Sequence, residues 1–215
     1  MARVSQEHLD ARRRQILDGA ALCFARNGFH ATSMQDVLKE VGLSAGAVYR
    51  YFRGKEELIG AIVGEVLALI QETFEEAAKE TPPPPPDVLV GRALTQVLGR
   101  RPGGQGGARE GAGAGESSYL PRLVVQVWAE TLRNKELADV MNQGYAKVRV
   151  AWVKIVEGYQ AAGMMRDDVP ADHVARVMVG AAQGFVAQLA LFDEVPVEAM
   201  RDGLRGLMSM GSPTG

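Results

Sequence analysis

Apolar residues recur at intervals of three and four along most of the chain, which is the pattern of helices that bury one face. Glycine and proline clusters interrupt this spacing and mark where the helices end. The sequence therefore predicts an all-α fold, with helices over residues 6–27, 34–41, 45–52, 54–79, 87–99, 119–132, 135–162, 170–190 and 197–210.

Two of the predicted helices are short and are joined by a tight turn. Ser33 occupies the N-cap position of the first helix, and Asp36 completes a capping-box pattern. Gly42 ends that helix, because glycine enters the left-handed conformation without a steric cost. Ser44 caps the second helix, whose first residues, 45–47, are small enough to let the backbone approach another surface closely. This layout is that of a helix-turn-helix, although two ordinary core helices with a tight link would share it.

The middle of the chain contains a long helix and two connecting segments. The helix over residues 54–79 is long enough to link the N-terminal part rigidly to the C-terminal part. Five prolines at positions 82–86 end it and form a stiff, extended connector. Residues 100–116 are rich in glycine and have no periodic apolar face, so they are predicted to form a flexible loop.

The helices of the C-terminal part have broad apolar surfaces. Residues 135–162 place large apolar side chains at alternating spacings of four and three, a seam that packs between other helices. The helix over residues 170–190 is apolar or small on nearly every face, and Gly180 and Gly184 would let another helix approach it closely. This pattern favours pairing with a second copy of the chain, although an internal core alone would share it.

Composition excludes several classes of protein. Hydrophobic residues make up 47% of the 215 residues and charged residues 23%, which are ordinary globular values. No uninterrupted apolar run reaches the roughly 18 residues of a membrane span, and the N-terminus lacks the apolar segment of a secretory signal. Cys23 is the only cysteine, which excludes an internal disulfide and suits a reducing compartment. We therefore expect a cytoplasmic protein without a membrane partner.

Charge and motif content favour binding over catalysis. Residues 1–60 hold nine Arg or Lys against seven Asp or Glu, a net charge of +2, whereas residues 61–215 hold fifteen against nineteen, a net charge of −4. The N-terminal excess has the sign expected of a segment that approaches nucleic acid. The three histidines are scattered, and no metal-ligand spacing, nucleophile elbow or phosphate-binding loop is present. We therefore expect no enzymatic activity, no cofactor and no metal.

Three runs of residues match a known family in order and spacing: Gly28–Ser33, Val41–Phe52 and Lys55–Leu58. They resemble the DNA-binding domain of the TetR family of transcriptional repressors, over about residues 9–63. The resemblance implies an N-terminal three-helix helix-turn-helix domain over residues 1–54, a connecting helix over residues 55–80, and a C-terminal helical ligand-binding and dimerisation domain over residues 81–215. The glycine-rich segment departs from the family, which has helices with shorter connections there.

A DNA-binding interpretation assigns roles to individual residues. One domain of this size buries too little surface for strong specificity, so a homodimer on a roughly palindromic double-stranded DNA operator is expected. Ala45, Gly46 and Tyr49 would lie against base edges, and Arg50 would reach a guanine or a phosphate. The residues expected to hold phosphates, through hydroxyls or cations, are Arg13, Thr32, Ser33, Ser44, Tyr51 and Lys55.

The C-terminal helices supply candidate residues for an effector site and for a dimer interface. In the family, the last two long helices pair with their copies, and the candidate contacts here are Met178, Phe185, Leu189, Leu204 and Leu207. Taken singly, an aromatic residue or methionine at helical spacing is more often part of a core than of a ligand site. The candidate lining for a small-molecule effector is Tyr119, Gln126, Trp128, Met141, Tyr145, Trp152, Tyr159 and Gln183.

These observations predict a homodimeric transcriptional repressor that a small, mostly apolar ligand releases from its operator. Two alternatives remain open. The chain would also fit a regulator or activator without a small-molecule effector. It would equally fit a helical interaction protein in which the helix-turn-helix has only a structural role.

Overall fold

The computed structural model describes residues 6–81, 83–99, 119–192 and 195–208. All regular secondary structure in these ranges is helical, as predicted, and the glycine-rich segment lies outside them. The helices are α1 (Gln6–Asn27), α2 (Met34–Val41), α3 (Ala45–Tyr49), α4 (Lys55–Ala77), α5 (Pro86–Leu98), α6 (Tyr119–Thr131), α7 (Lys135–Ala161), α8 (Ala171–Leu191) and α9 (Val197–Met208).

Local capping fixes the ends of the two short helices, as the sequence predicts. The Ser33 hydroxyl accepts a hydrogen bond from the Asp36 N–H, and the Asp36 carboxylate accepts one from the Ser33 N–H, which completes the capping box. Gly42 has φ 66° and ends α2 in the left-handed conformation. Helix α3 is shorter than predicted, because the chain leaves the helix in a turn in which Tyr51 N and Phe52 N both donate to Val48 O.

The described residues up to Glu65 and those from Tyr119 to Met141 form one compact unit. Within it, α1 packs against both α2 and α6. A Cβ added at Gly19 of α1 would lie 2.3 Å from Val41 Cγ1, so the close crossing of α1 and α2 depends on this glycine. Phe24 and Val48 are both fully buried here, and they anchor α1 and α3 in the core of this unit.

The described residues from Val66 to Gly99 and from Asn142 onward form a second compact unit. Its core contains Trp152, which is 2% exposed and lies 5.0 Å from the Phe74 ring. Tyr159 is 1% exposed, and its hydroxyl donates to the carbonyl of Pro84 within the proline-rich connector. Burial, together with the nearby charge of Asp87, raises the pKa of Tyr159 well above its ordinary value. Both aromatic side chains therefore belong to the packed interior.

The two compact units do not coincide with the DNA-binding and ligand-binding domains that the sequence predicts. The predicted boundaries at residues 54 and 80 assign α6 to a ligand-binding domain, whereas α6 packs against α1 in the first unit. The periodicity of α6 reveals an apolar face but not the surface that covers it. The functional division over residues 1–54, 55–80 and 81–215 stays a prediction.

Candidate nucleic-acid interface

Helix α3 presents one face to solvent and buries the other. Val48 is fully buried and Phe52 is 3% exposed, so they hold the helix against the rest of its unit. Tyr49, the neighbour of Val48, is 47% exposed. Ser44, Ala45, Gly46 and Arg50 are exposed as well, and Tyr51 is half-buried. The start of α3 and the tip of Tyr49 thus lie on an open surface with little side-chain bulk, which we call the reading surface (residues 44–46, 49 and 50).

Two serine hydroxyls near the reading surface serve as helix caps. Ser33 caps α2, and its hydroxyl also donates to Asp36 Oδ2 at 2.6 Å. Hydrogen bonds from this hydroxyl and from the Ser33 N–H lower the pKa of the Asp36 carboxyl below its ordinary value. Ser44 caps α3 more weakly, since the Ala47 N–H lies 3.4 Å from its oxygen. Both serines are exposed, so the caps leave these positions accessible to a phosphate.

The position of the Thr32 side chain does not favour the predicted contact with DNA. Thr32 is 1% exposed, and its hydroxyl donates to Gly28 O at 2.7 Å and lies 3.2 Å from Cys23 O. These two carbonyls lie at the end of α1, so the hydroxyl satisfies orphan acceptors of a helix C-terminus. Thr32 therefore stabilises the α1–α2 connection from inside the protein.

Lys55 is also engaged within the protein. Its ammonium lies 3.1 Å from Phe29 O, 3.4 Å from His30 O and 3.4 Å from Thr32 O. It also sits 4.7 Å from the centre of the Phe29 ring. A cation is unfavourable in the first turn of α4, and a DNA phosphate is one partner that would explain it. The carbonyls of Phe29, His30 and Thr32 explain the cation at this position without a phosphate.

Arg13 pairs across helices. Its guanidinium lies 2.6 Å from Glu65 Oε1 of α4 and 5.4 Å from the centre of the Phe52 ring. It is half-buried, so these contacts compete with the predicted phosphate contact. The sequence analysis assigns no role to two exposed cations of the same unit, Lys39 and Arg53. Sequence alone does not tell an exposed cation from one that is paired at a distance of 52 residues along the chain.

The predicted effector residues are divided between the two units. Gln126, Trp128 and Met141 lie in the first unit. Tyr145, Trp152, Tyr159 and Gln183 lie in the second, and the side chain of Tyr119 lies outside the described part of the structure. Trp152 and Tyr159 are core residues of that second unit, whereas Tyr145 and Gln183 are half-buried.

An open groove of about 500 Å³ lies on the second unit, between α4 and α7. Phe74, Ala78 and Val150 contribute apolar surface, and Lys147 and Lys154 lie along its edge. None of the predicted effector residues lines this groove. In the described ranges, no group of three or more His, Cys, Asp or Glu side chains is arranged to hold a metal ion.

Most of the side chains predicted for the dimer interface pack inside their own chain. Met178, Phe185 and Leu204 are 5–7% exposed and belong to the core cluster of the same chain. Leu189 packs partly against that cluster, and only Leu207, at 71% exposed, faces away from it. These side chains already have apolar neighbours, so most of them are not available to a partner.

The opposite face of α8 is open and apolar. Val177 is 69% exposed and Leu191 is 63% exposed, and Phe192 follows at 76%. Between them, Gly180 and Gly184 are exposed, with no heavy atom within 4 Å of an added Cβ. We call Val177, Gly180, Gly184 and Leu191 the outer face of α8. Helix α8 is long enough and apolar enough, with a mean hydropathy of 1.4 over 18 residues, to cross a membrane by length and composition alone. Only 17% of that 18-residue stretch is buried. A helix that packs against a second protein has the same composition.

Comparisons with known proteins agree with this geometry. The family described as bacterial regulatory proteins, tetR family, matches residues 16–62, which contain α2, the turn and α3. An HTH-type transcriptional repressor of Mycobacterium tuberculosis is 45% identical over 65 residues, or 30% of this chain and 35% of that protein. The match to the family therefore includes the reading surface.

Two solved structures extend the likeness to the whole fold. Salmonella enterica GusR matches with a TM-score of 0.70 and 25% identity, over 97% of this chain and 100% of that one. The transcriptional regulator FadR from Bacillus subtilis, in complex with stearoyl-CoA, matches with a TM-score of 0.68 and 18% identity, over 92% of this chain and 98% of that one.

Proposed function

The chain belongs to the TetR family of bacterial regulatory proteins, and we propose that it acts as a homodimeric repressor whose α3 helices read a roughly palindromic operator. It is a DNA-binding transcriptional regulator. The observation that carries the proposal is the reading surface, where Tyr49 is 47% exposed directly beside the fully buried Val48.

The chemistry of the reading surface suits a duplex groove. Ala45 and Gly46 leave room for the α3 backbone beside base edges, and Tyr49 adds a ring with a hydrogen-bonding tip. Arg50 follows as an exposed cation at the end of the helix, within reach of a guanine or a phosphate. Ser33 and Ser44, at the starts of α2 and α3, would hold phosphates with their hydroxyls, beside the first turns of these helices.

The outer face of α8 supports the homodimer. A row of exposed apolar side chains costs free energy in water, and a second copy of the same helix would cover it. Gly180 and Gly184 would let the two helices approach closely, and Leu207 on α9 would extend the contact. A dimer would present two reading surfaces to the two halves of an operator in the cytoplasm.

Release by a small, mostly apolar effector is the remaining part of the proposal. The complex of the similarly folded FadR with stearoyl-CoA supports a ligand with a large apolar portion. Tyr145 and Gln183 stay candidates for contact with such a ligand, because both are half-buried. The ligand must bind the dimer better when its reading surfaces are wrongly spaced for the operator, since only differential affinity shifts an equilibrium.

Selection of genomic fragments by the purified protein, at a stated salt concentration, tests the function. We expect recovery of a few sites that share an inverted repeat. Titration of apolar compounds against one such site would then identify an effector by operator release. Recovery of fragments without a shared sequence would contradict the proposal, because non-specific binding depends on phosphates alone.

A further inference from the structure

The connection between α1 and α2 is held from two sides. Gly28 ends α1 with φ 86°, and Ser33 begins the cap of α2, so residues 28–33 set where α2 starts. From one side, the Lys55 ammonium of α4 contacts three carbonyls of this connection. From the other side, α6 packs against α1. We call residues 28–33 the hinge segment.

Glu130 is the charged residue of α6 that meets the hinge segment. Its Oε2 lies 2.8 Å from His30 Nε2 and 3.7 Å from Arg133 Nε, and its side chain is 7% exposed. The His30 side chain is 61% exposed, so burial of this contact is confined to the glutamate. A buried carboxylate is costly unless it is paired.

The position of Glu130 is unfavourable for α6 itself. It lies in the last turn of that helix, where a negative charge opposes the helix dipole. A residue chosen only to stabilise α6 would be apolar or basic at this buried position. The contact with His30 explains why a glutamate occupies this position, which the stability of α6 alone does not explain.

A second polar group lies one turn earlier on the same side of α6. Gln126 Oε1 is buried and has no hydrogen-bond partner within the described part of the chain. A Cβ added at Gly28 would lie 3.8 Å from this oxygen, so it faces the start of the hinge segment. The contact of α6 with the hinge segment thus contains one directional pair, Glu130 with His30, and a buried amide oxygen beside it that has no partner in the described residues. Directional contacts fix one relative position, whereas apolar surfaces tolerate sliding.

We propose that Glu130 is a positioning residue for DNA reading: its contact with His30 fixes the hinge segment, and thereby α2 and α3, in the arrangement that fits the operator. The inference rests on the proposed function. His30 lies three residues before the N-cap Ser33, so displacement of α6 relative to His30 would move the start of α2. Lys55 would keep the segment folded while its position changed.

The test compares affinity for an operator with affinity for random DNA of equal length and at equal salt. Glu130→Gln keeps the shape of the side chain and removes its charge. We expect it to weaken operator binding about tenfold, within the usual range of coupling between sites, and to leave random-DNA binding unchanged. Glu72→Gln, an exposed glutamate of α4, makes the same change in net charge and is the matched control.

Further variants separate positioning from stability. His30→Gln should weaken operator binding to a similar degree, and the double variant should lose no more than the larger single loss, because both changes remove one contact. His30 is exposed, so this variant tests the inference even if Glu130→Gln does not fold.

Each of the other outcomes counts against a stated part of the proposal. Equal loss of operator and random-DNA binding, or additive losses, would overturn the positioning role. A wild-type protein that does not distinguish the operator from random DNA would instead overturn the proposed function, and the inference with it.

Discussion

The reading surface and the core of the second unit use aromatic side chains in opposite ways. Tyr49 ends the five-residue helix α3 and is 47% exposed, while its buried neighbour Val48 holds the helix in place. Trp152 and Tyr159 lie on the 27-residue helix α7 and are at most 2% exposed. The Trp152 ring packs on Phe74, and the Tyr159 hydroxyl is bound to a carbonyl.

Helix length accounts for these opposite uses. A short helix does not have enough apolar surface to be stable alone, so its position depends on caps and on one or two buried anchors. That arrangement leaves its other side chains available to a partner. A long helix in a cluster of helices has most of its surface covered, and its aromatic residues then stabilise the fold. Exposure at a fixed position, rather than residue type, makes Tyr49 the candidate for contact with DNA.

The largest expected effect is on the core. Trp152→Ala should lower the free energy of unfolding by about 3–5 kcal/mol, because it leaves a cavity beside Phe74 that the neighbours fill only in part. Denaturant unfolding followed by circular dichroism measures this. Val150→Ala on the same helix is the control, since Val150 is 52% exposed and should change stability by less than about 0.5 kcal/mol. Equal stability of the Trp152 variant and wild type would favour a role in ligand binding.

The outer face of α8 should be the next most sensitive region. Gly184→Arg places a long charged side chain where the helices of two copies would meet, so the protein should be monomeric at micromolar concentration. Operator affinity should fall about 100-fold, since one reading surface lacks the gain of two linked contacts. Light scattering gives the mass. Ala146→Arg, at an exposed position of α7, should stay dimeric. A dimeric Gly184 variant would remove this face from the interface.

A smaller, more specific effect is expected at the reading surface. Tyr49→Ala should weaken operator binding about tenfold or more without lowering the melting temperature, because the proposed role of this exposed side chain is contact with base edges and it is not part of the core. Fluorescence anisotropy against an operator fragment measures the affinity. Tyr49→Phe keeps the ring and removes the hydroxyl, so it separates apolar contact from hydrogen bonding. Unchanged affinity of the alanine variant would exclude Tyr49 from the interface.

The smallest effect is expected at the caps. Ser33→Ala should destabilise the protein by about 1 kcal/mol, because the Asp36 N–H and the Asp36 carboxylate each lose a hydrogen bond to the Ser33 hydroxyl. Ser44→Ala should cost less, since its contact with the Ala47 N–H is longer, at 3.4 Å. Thermal unfolding of the two variants side by side measures the difference. A larger loss for Ser44 would contradict the relative strengths assigned to the caps.

Local signals in the sequence were sufficient to predict the helices and caps that carry the reading surface. The caps and the turn depend on residues that are neighbours in the sequence: Ser33, Asp36, Gly42 and Ser44. For this reason the caps, the turn and both short helices could be predicted. Helix existence along the rest of the chain could be predicted from periodicity alone.

Contacts between distant residues were beyond the same reasoning. Lys55 contacts carbonyls 23 to 26 residues away, and Arg13 pairs with Glu65, 52 residues away. A local motif does not reveal such partners, so it does not show whether either cation is available to a phosphate. Helix α8 is apolar on two faces, and sequence alone does not say which one its own chain covers. For that reason Met178 and Phe185 were predicted to face a partner but lie in the core.

Hydroxyl-radical footprinting of the wild-type protein on a selected fragment would show whether a pair of α3 helices reads the operator. We expect two symmetric groups of protected sugars, related by the two-fold axis of an inverted repeat and flanking adjacent major grooves. The Tyr49→Ala variant should lose both groups together. A single unsymmetric protection, or one that the variant retains in full, would contradict reading by paired α3 helices.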